Sequence, residues 1–349
     1  MADWQIGKVK ITRIIEGVDT FDPALMLPGV TARSVVETPW LQPHFADDKG
    51  HIHLAIQALV VETSGLLIVI DTCVGNERQG RDLPHWNNLQ TSFLEDFAAA
   101  GFDRQAVDVV FCTHLHSDHV GWNTMKVGDA WVPTFPNARY LLNRAEFEFW
   151  SGQRPQRNLD AMFGDAIQPI LDAGLMDLIK LDHRLCDEIA LVCTPGHTPG
   201  HASVRIVSQG QHAMISGDFI HHPCQMATPE LPQSADSDPP LAAQTRRAQL
   251  AGLADGDTLL IGTHFAPPTA GHVRTDAKAF RFDTNVVASR RRSAKFREVP
   301  PGPPDLPRLV DILQKRTAAS QAVGHITAGL RARVPAGQRP LSGCQIAPM

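Results

Sequence analysis

The chain has 349 residues, 43% of them hydrophobic, which as a prior means one large domain or two ordinary ones with ample core-forming side chains. Its formal net charge is −5 and its pI is near 6.3, so it carries no basic footprint for nucleic acid. The opening MADWQIGKVKITRII shows no basic-plus-apolar leader, and no apolar run reaches the roughly 18 residues of a membrane span, so neither is expected.

Strand-like runs rich in Val, Ile and Leu follow one another as KVKITRII (8–15), IQALVVE (56–62), LLIVID (66–71), VDVVFC (107–112) and ARYLLN (138–143). They continue as IALVCT (189–194), ASVRIV (202–207), HAMISG (212–217) and TLLIG (258–262). Helical patterns cover 89–101, ending at Gly101 as a C-cap would, then 144–152, 159–173 and 241–253. Many strands are followed by loops rather than crossover helices. This predicts a mixed α/β fold of sheets packed on each other with helices outside. From 284 the chain turns basic and then Pro-rich, followed by one weak amphipathic helix over 306–330. We read 1–283 as the functional domain and 284–349 as an extension, a linker or disordered piece without assignable chemistry.

Six cysteines (Cys73, Cys112, Cys186, Cys193, Cys224 and Cys344) are scattered without a C-x-x-C pair. Cys112 and Cys193 fall inside apolar runs and read as small buried hydrophobes. That pattern suits a reducing, cytoplasmic setting over a disulfide framework. Histidine, at 16, is the surplus that needs a place.

One grammar recurs four times: an apolar run ends, small or turn-forming residues follow, and a metal-type ligand appears. The instances lead to His114, His197, Asp218 and His264. Strand ends that meet at one edge of a sheet are where α/β scaffolds place their chemistry. In HLHSDH, His114 and His116 are two apart and point the same way in an extended turn, while Asp118 and His119 start the next turn. Neutral imidazole and carboxylate suit zinc and similar divalent ions. Seven such side chains exceed one tetrahedral site and fit two ions sharing a carboxylate. A hydroxide held between two ions is a nucleophile at neutral pH.

With these residues in place, the stretch 6–283 resembles the metallo-β-lactamase-fold hydrolases, through H-x-H-x-D-H at 114–119, His197 in TPGHTPGH, Asp218 in SGD and His264 in GTH. The resemblance implies an αββα sandwich with a dinuclear site at the sheet edge. It implies that His114, His116 and His197 hold one ion, that Asp118, His119 and His264 hold the other, and that Asp218 bridges them. The motif IDTCVGN resembles the family's earlier Asp motif and places Asp71 beside the ligands; His201, in the second TPGH, is expected in the same supporting role. The phrases THLHSDHVGWNT, WVPTFPNARYL and SGDFIHHP are similar to the branch containing methyl parathion hydrolase and the N-acyl-homoserine lactonases.

One position departs from the lactonase pattern. Three residues after the bridging Asp those enzymes carry a Tyr that assists at the substrate carbonyl; here it is His221, as in the organophosphate-hydrolase pattern. Asp118 and His221 are the candidate catalytic residues. Trp122, Phe219 and His222 are candidate pocket residues. The segment 38–53, with Trp40, His44, Phe45, His51 and His53, joins His85 and Trp86 as a candidate pocket wall or dimer arm.

The expected function is metal-dependent hydrolysis of an ester, lactone or phosphotriester in a small molecule, with a metal-bridging hydroxide as nucleophile. Two divalent ions are expected, zinc first, with Mn, Co or Fe as substitutes, and the relatives suggest a homodimer. The rival readings are a glyoxalase-type thioester hydrolase, an iron-dependent persulfide dioxygenase, and a non-enzymatic metal-bound sensor.

Overall fold

A computed structural model of the chain describes residues 3–285, apart from 82, 181 and 182. The first sheet starts with β1 (Asp3–Ile6), β2 (Val9–Phe21), β3 (Ile52–Glu62), β4 (Leu67–Ile70) and β5 (Val109–Phe111). A separate hairpin of β6 (Thr124–Val127) and β7 (Ala130–Pro133) follows, and β8 (Arg139–Asn143) and β9 (Met176–Ile179) complete the sheet. The second sheet runs in sequence order through β10 (Ile189–Cys193), β11 (Ala202–Ser208), β12 (Gln211–Ile215), β13 (Leu259–Ile261), β14 (Ala270–Asp276) and β15 (Ala279–Asp283). Each strand run expected from the sequence forms. The strands β1, β6, β7, β9, β14 and β15 were not expected; they are short, edge-proximal or polar.

Alternation along the strands builds three apolar layers. Ile68, Ile70, Val109 and Phe111 of the first sheet meet Ala213, Ile215, Leu259 and Ile261 of the second in a central core. The opposite faces of the same strands, Val69 and Val110, pack under Phe93, Phe97 and the 159–170 segment. Met214 and Leu260 pack under Leu250, Leu253 and the N-terminal residues Leu27 to Phe45. The result is the expected αββα sandwich.

The helices follow the expected positions with two adjustments. The 89–101 pattern is helical only over Phe93–Ala99, with Gly101 beyond its end at φ 93°. The 159–173 pattern is not one helix: Arg157–Met162 passes through a π-turn at Phe163–Ile167 into Gln168–Asp172. Pro169 is the cause, because it has no N–H for the carbonyl of Asp165. That carbonyl instead accepts from Arg78 Nη1 at 3.0 Å and from the hydroxyl of Thr124. The helix Pro239–Leu253 begins at Asp238, whose carboxylate caps Leu241 N.

Directions of the strands explain why ligands gather. Strands β4 and β5 are parallel, as are β12 and β13, and β10 runs with β12 because each is antiparallel to β11. The residues that follow these five C-terminal ends lie together, so the ends of both sheets open on one edge of the sandwich. Among the described residues Cys73, Cys112 and Cys224 are buried and free, Cys186 is free and partly buried, and Cys193 is partly buried. The expectation of a fully buried side chain at Cys193 fails, while Cys112 is buried as expected. Among the described residues no helix is long and apolar enough to cross a membrane. The extension lies outside the described residues beyond 285.

Candidate metal centre

Strand β5 delivers Thr113 and His114 to the open edge, and the turn that follows supplies His116, Asp118 and His119. Strand β10 ends in the TPG turn to His197, β12 in Gly217 and Asp218, and β13 in Gly262, Thr263 and His264. The side-chain nitrogens and oxygens of His114, His116, His197 and Asp218 form one group, each ligand atom within 4.8 Å of the others. Those of Asp118, His119 and His264 form a second group on the same criterion. Asp218 serves both, since its Oδ2 lies 3.4 Å from His197 Nε2, 3.6 Å from His114 Nε2, and 3.3 Å from both His119 Nε2 and His264 Nε2. This is the division that the resemblance implies.

The outward nitrogens of these rings are held by named partners. His264 Nδ1 lies 2.9 Å from the carbonyl of Ala55, and Ala55 N in turn donates to His264 O at 2.9 Å, clipping the residue to β3 of the other sheet. Beside them Gln57, a polar break in an otherwise apolar strand, donates its amide to the carbonyls of Gly262 and Thr263. His119 Nδ1 lies 3.0 Å from Asp71 Oδ2, and Asp71 also accepts the Thr113 N–H at 2.8 Å. His197 Nδ1 lies 2.9 Å from Asp236 Oδ1. A carboxylate or carbonyl on one ring nitrogen fixes the tautomer and turns the other nitrogen's lone pair inward.

That tautomer pattern tests the fit to a metal. His119 Nε2 and His264 Nε2 lie 3.2 Å apart, and with the ring protons on Nδ1, on the side of Asp71 for His119 and of the Ala55 carbonyl for His264, both facing atoms present lone pairs. Asp118 Oδ2, an acceptor only, stands 3.6 and 3.5 Å from the same two atoms. Electron-rich atoms so placed need positive charge among them. The first group repeats the arrangement: His116 Nδ1 is 3.0 Å from His114 Nε2 and 2.9 Å from His197 Nε2. Asp218 Oδ1 is buried with no hydrogen-bond partner. The cluster is compatible with a dinuclear site.

Electrostatics separate the two groups, with the first held neutral as a ligand role requires. Burial holds the His114 and His197 imidazoles well below their usual range and brings His116 down to about 4, so all three stay neutral. Burial also opposes charge on His119 and His264, but the carboxylates of Asp218 and Asp118 outweigh it and raise both. Asp218 stays ionised despite burial because His264, His119, His221 and His114 surround it.

The residues expected beside the two groups, Asp71 and His201, lie against them. Besides Asp71, His201 receives the Asp218 N–H on its Nε2 at 2.6 Å, while its Nδ1 lies 2.9 Å from the carbonyl of Thr194. Burial pushes His201 down to about 3, which keeps the accepting nitrogen bare. Gly217 (φ 55°) is required here, since a Cβ would meet His201 Nε2 at 2.5 Å.

Five of the seven side chains line the floor of a cavity of about 560 Å³. His116, Asp118, His197, Asp218, His221 and His264 face it, and Phe21, Leu54, Leu83, Trp86, Leu159 and Met162 are among its apolar walls. His221 is thus in the cavity, with Nε2 3.1 Å from Asp218 Oδ2 and its ring stacked 5.9 Å from that of His264. The three expected pocket residues are elsewhere. Trp122 stacks on Phe93 in the outer core with its indole N–H on Glu16, and Phe219 is buried against the helix side of the second sheet. His222 is buried, 2.8 Å from the carbonyl of Phe45. Each follows a ligand in sequence but points to the opposite side of the loop, into a helix-packed layer. Of the expected N-terminal wall, Trp86 lines the cavity; Phe45 is core, and His51, His53 and His85 pair with Asp47, Thr20 and Asp19.

Sequence reasoning missed Asp236, Glu146 and Trp150. Asp236 lies in QSADSDPP, which carries only a turn signal. Glu146, in RAEFEFW, is one of two acids on an amphipathic helix, and its burial is the only feature that separates it from Glu148.

A family model described as "Metallo-beta-lactamase superfamily" matches residues 53–264. An N-acyl homoserine lactonase from Bacillus sp is 26% identical over 170 residues, covering 45% of this chain and 60% of that protein. The corresponding lactonase from Bacillus cereus is 25% identical over the same length. The chain thus spans about 60% of the length of these curated relatives. Among solved structures, hydrolase AbOPH in the beta lactamase superfamily aligns with TM-score 0.67 and 26% identity, covering 80% of this chain and 96% of that one. AidC, a dizinc quorum-quenching lactonase in complex with a product, shares the fold at TM-score 0.68 and 22% identity, with the same coverage.

Proposed function

The chain belongs to the metallo-beta-lactamase superfamily, and from that premise we propose that it is a metal-dependent hydrolase of ester-type bonds in small molecules, lactones foremost. The observation that carries the reading is the convergence of seven imidazole and carboxylate side chains, in two groups sharing Asp218, five of which line an apolar-walled cavity. In this reading His114, His116 and His197 hold one divalent ion, Asp118, His119 and His264 the other, and Asp218 both. Such ions, when bound, lower the pKa of water to about 7 and polarise a carbonyl or phosphoryl oxygen.

The chain's own residues do the rest. The apolar walls receive the organic substituent and exclude water from the bond to be cleaved. Asp71, Asp236 and the carbonyl of Ala55 keep the ligand rings in register. His221, facing the cavity with Nε2 3.1 Å from Asp218 Oδ2 and Nδ1 without a hydrogen-bond partner, donates a hydrogen bond or proton to the substrate oxygen, where the lactonase pattern has a tyrosine. Zinc is the expected metal, phosphotriesters belong in the substrate panel because of His221, and 1–283 is the hydrolase domain. A homodimer remains the expected assembly. The lactonase and hydrolase relatives do not favour the thioester hydrolase or persulfide dioxygenase alternatives.

The test is a panel of lactones, aryl esters and phosphotriesters assayed after reconstitution with Zn, Mn or Co. Turnover of a lactone or aryl ester, abolished by chelator and restored by metal, is expected. Folded protein carrying two ions per chain that cleaves none of the panel would overturn the proposal.

A further inference from the structure

Glu146 is shared by the two loops that bear the three histidines of the first group. It sits fully buried on the helix Arg144–Gly152. Its Oε1 accepts the backbone N–H of Leu115 at 3.0 Å and the indole N–H of Trp150 at 2.7 Å. Its Oε2 accepts the backbone N–H of Gly200 at 2.9 Å. Leu115 lies between His114 and His116, and Gly200 lies between His197 and His201.

The helix start is seated on the second loop by a further bond, from Asn143 Nδ2 to the carbonyl of Gly200 at 2.7 Å. The contact is so close that a Cβ on Gly200 would lie 2.4 Å from Glu146 N. Trp150 carries the connection into the cavity: it lines the wall and meets His116 edge-on, ring centroids 5.4 Å apart. One carboxylate therefore joins the β5 loop of the first sheet, the β10 loop of the second sheet, and an aromatic wall residue.

We propose that Glu146 is a positioning residue for the first metal: by tying Leu115 to Gly200 it holds His114, His116 and His197 at ion-sharing distance, and by tying Trp150 it sets the cavity wall against them. This rests on the reading that the group binds a metal. Ligand-orienting partners of this kind change metal affinity by about 10- to 100-fold when altered.

A matched comparison exists in the same molecule. Glu16 accepts from the backbone N–H groups of Val74 and Gly75, at 2.8 and 3.1 Å, and from the indole N–H of Trp122 at 2.6 Å. It has the same kinds of donor as Glu146 but braces the loop after β4, which carries no residue of the first group. A glutamine in either place keeps one acceptor oxygen and turns an NH₂ toward a donor, so both substitutions damage a buried network equally in kind.

The experiment measures retained metal in the full-length protein against a chelator series, with cobalt absorption as a second readout, for wild type, Glu146→Gln and Glu16→Gln. Glu146→Gln is expected to release one of two ions at about 10- to 100-fold lower chelator strength, with an altered cobalt spectrum. Glu16→Gln is expected to keep the wild-type value for that ion. Unchanged release of both ions from Glu146→Gln, or the same loss from Glu16→Gln, overturns the proposal. If Glu146→Gln does not fold, Trp150→Phe decides: a selective loss of one ion supports the role, and wild-type retention of both overturns it. Wild type that holds two ions but hydrolyses nothing would sink the hydrolase reading and leave this measurement standing.

Discussion

His201 Nε2 accepts the backbone N–H of Asp218 at 2.6 Å, so a residue outside the two groups sets the carboxylate shared by both. The bond requires a neutral ring, which burial provides, and a glycine at 217, which the closeness of the ring demands. Replacing His201 by Phe should leave the Asp218 N–H buried without an acceptor. The expected cost is about 1–3 kcal/mol in stability, with a weakened hold on metal. Urea unfolding of the apo-protein and chelator competition of the loaded protein measure the two effects. Wild-type values in both would show that His201 only fills space.

Removing a ligand should act more severely than removing its support. His116→Ala and Asp218→Ala, confirmed folded by circular dichroism, are expected to lose ester or lactone hydrolysis by at least about 100-fold. His116→Ala should affect one ion, whereas Asp218→Ala should affect both, because its Oδ2 faces both groups. Full activity in either variant, with and without chelator, would refute the assignment.

His221 should separate chemistry from metal binding. His221→Ala is expected to lower kcat by about 10²-fold, the smaller end of what a positioned proton donor contributes, while metal content stays at the wild-type value. His221→Tyr, which restores the lactonase pattern, should shift preference toward lactones over phosphotriesters. Parallel kcat and KM measurements on one lactone and one phosphotriester check both. An unchanged kcat in His221→Ala would reduce the residue to a wall of the cavity.

His222 makes a prediction about pH. Burial brings it from an ordinary 6.5 down to about 4, with one ring nitrogen facing the Phe45 carbonyl and the other accepting the Cys224 N–H. Below the ordinary value the unfolded chain takes up a proton that the folded chain refuses. Its contribution is therefore complete above pH 6.5, falls as pH drops toward 4, and levels off beyond that. Between about pH 7 and 5 it should remove about 2 kcal/mol of stability. His222→Gln should start less stable and decline less steeply over that interval, as urea unfolding at the two pH values will read. Equal slopes would place the wild-type pH dependence in other groups.

Most of the sandwich was legible because its strands are apolar runs bounded by Gly, Pro and Asp, and because burial on both faces leaves no polar alternation to confuse the pattern. Metal-type residues were legible for a related reason. A histidine or aspartate directly after such a run is tied to a strand end, and five parallel-running ends leave little choice of where to meet. Trp122, Phe219 and His222 were misread because adjacency in sequence says nothing about which side of a loop a side chain takes. The 159–173 segment was misread because the partners that free Pro169 from the helical ladder, Arg78 and Thr124, lie in distant segments.

The sequence by itself determined the strand order of the chemistry, the identity of the seven ligand-type residues and the absence of the usual lactonase tyrosine, since each is a property of residue type and local spacing. Only the tertiary structure decided how Asp218 is divided between the two groups and which residues wall the cavity. It alone decided that Asp236 and the Ala55 carbonyl meet the rings of His197 and His264, and that Glu146 joins the backbones of Leu115 and Gly200. Those choices depend on distances between residues tens or hundreds of positions apart, which the packing of two sheets sets and no local pattern encodes.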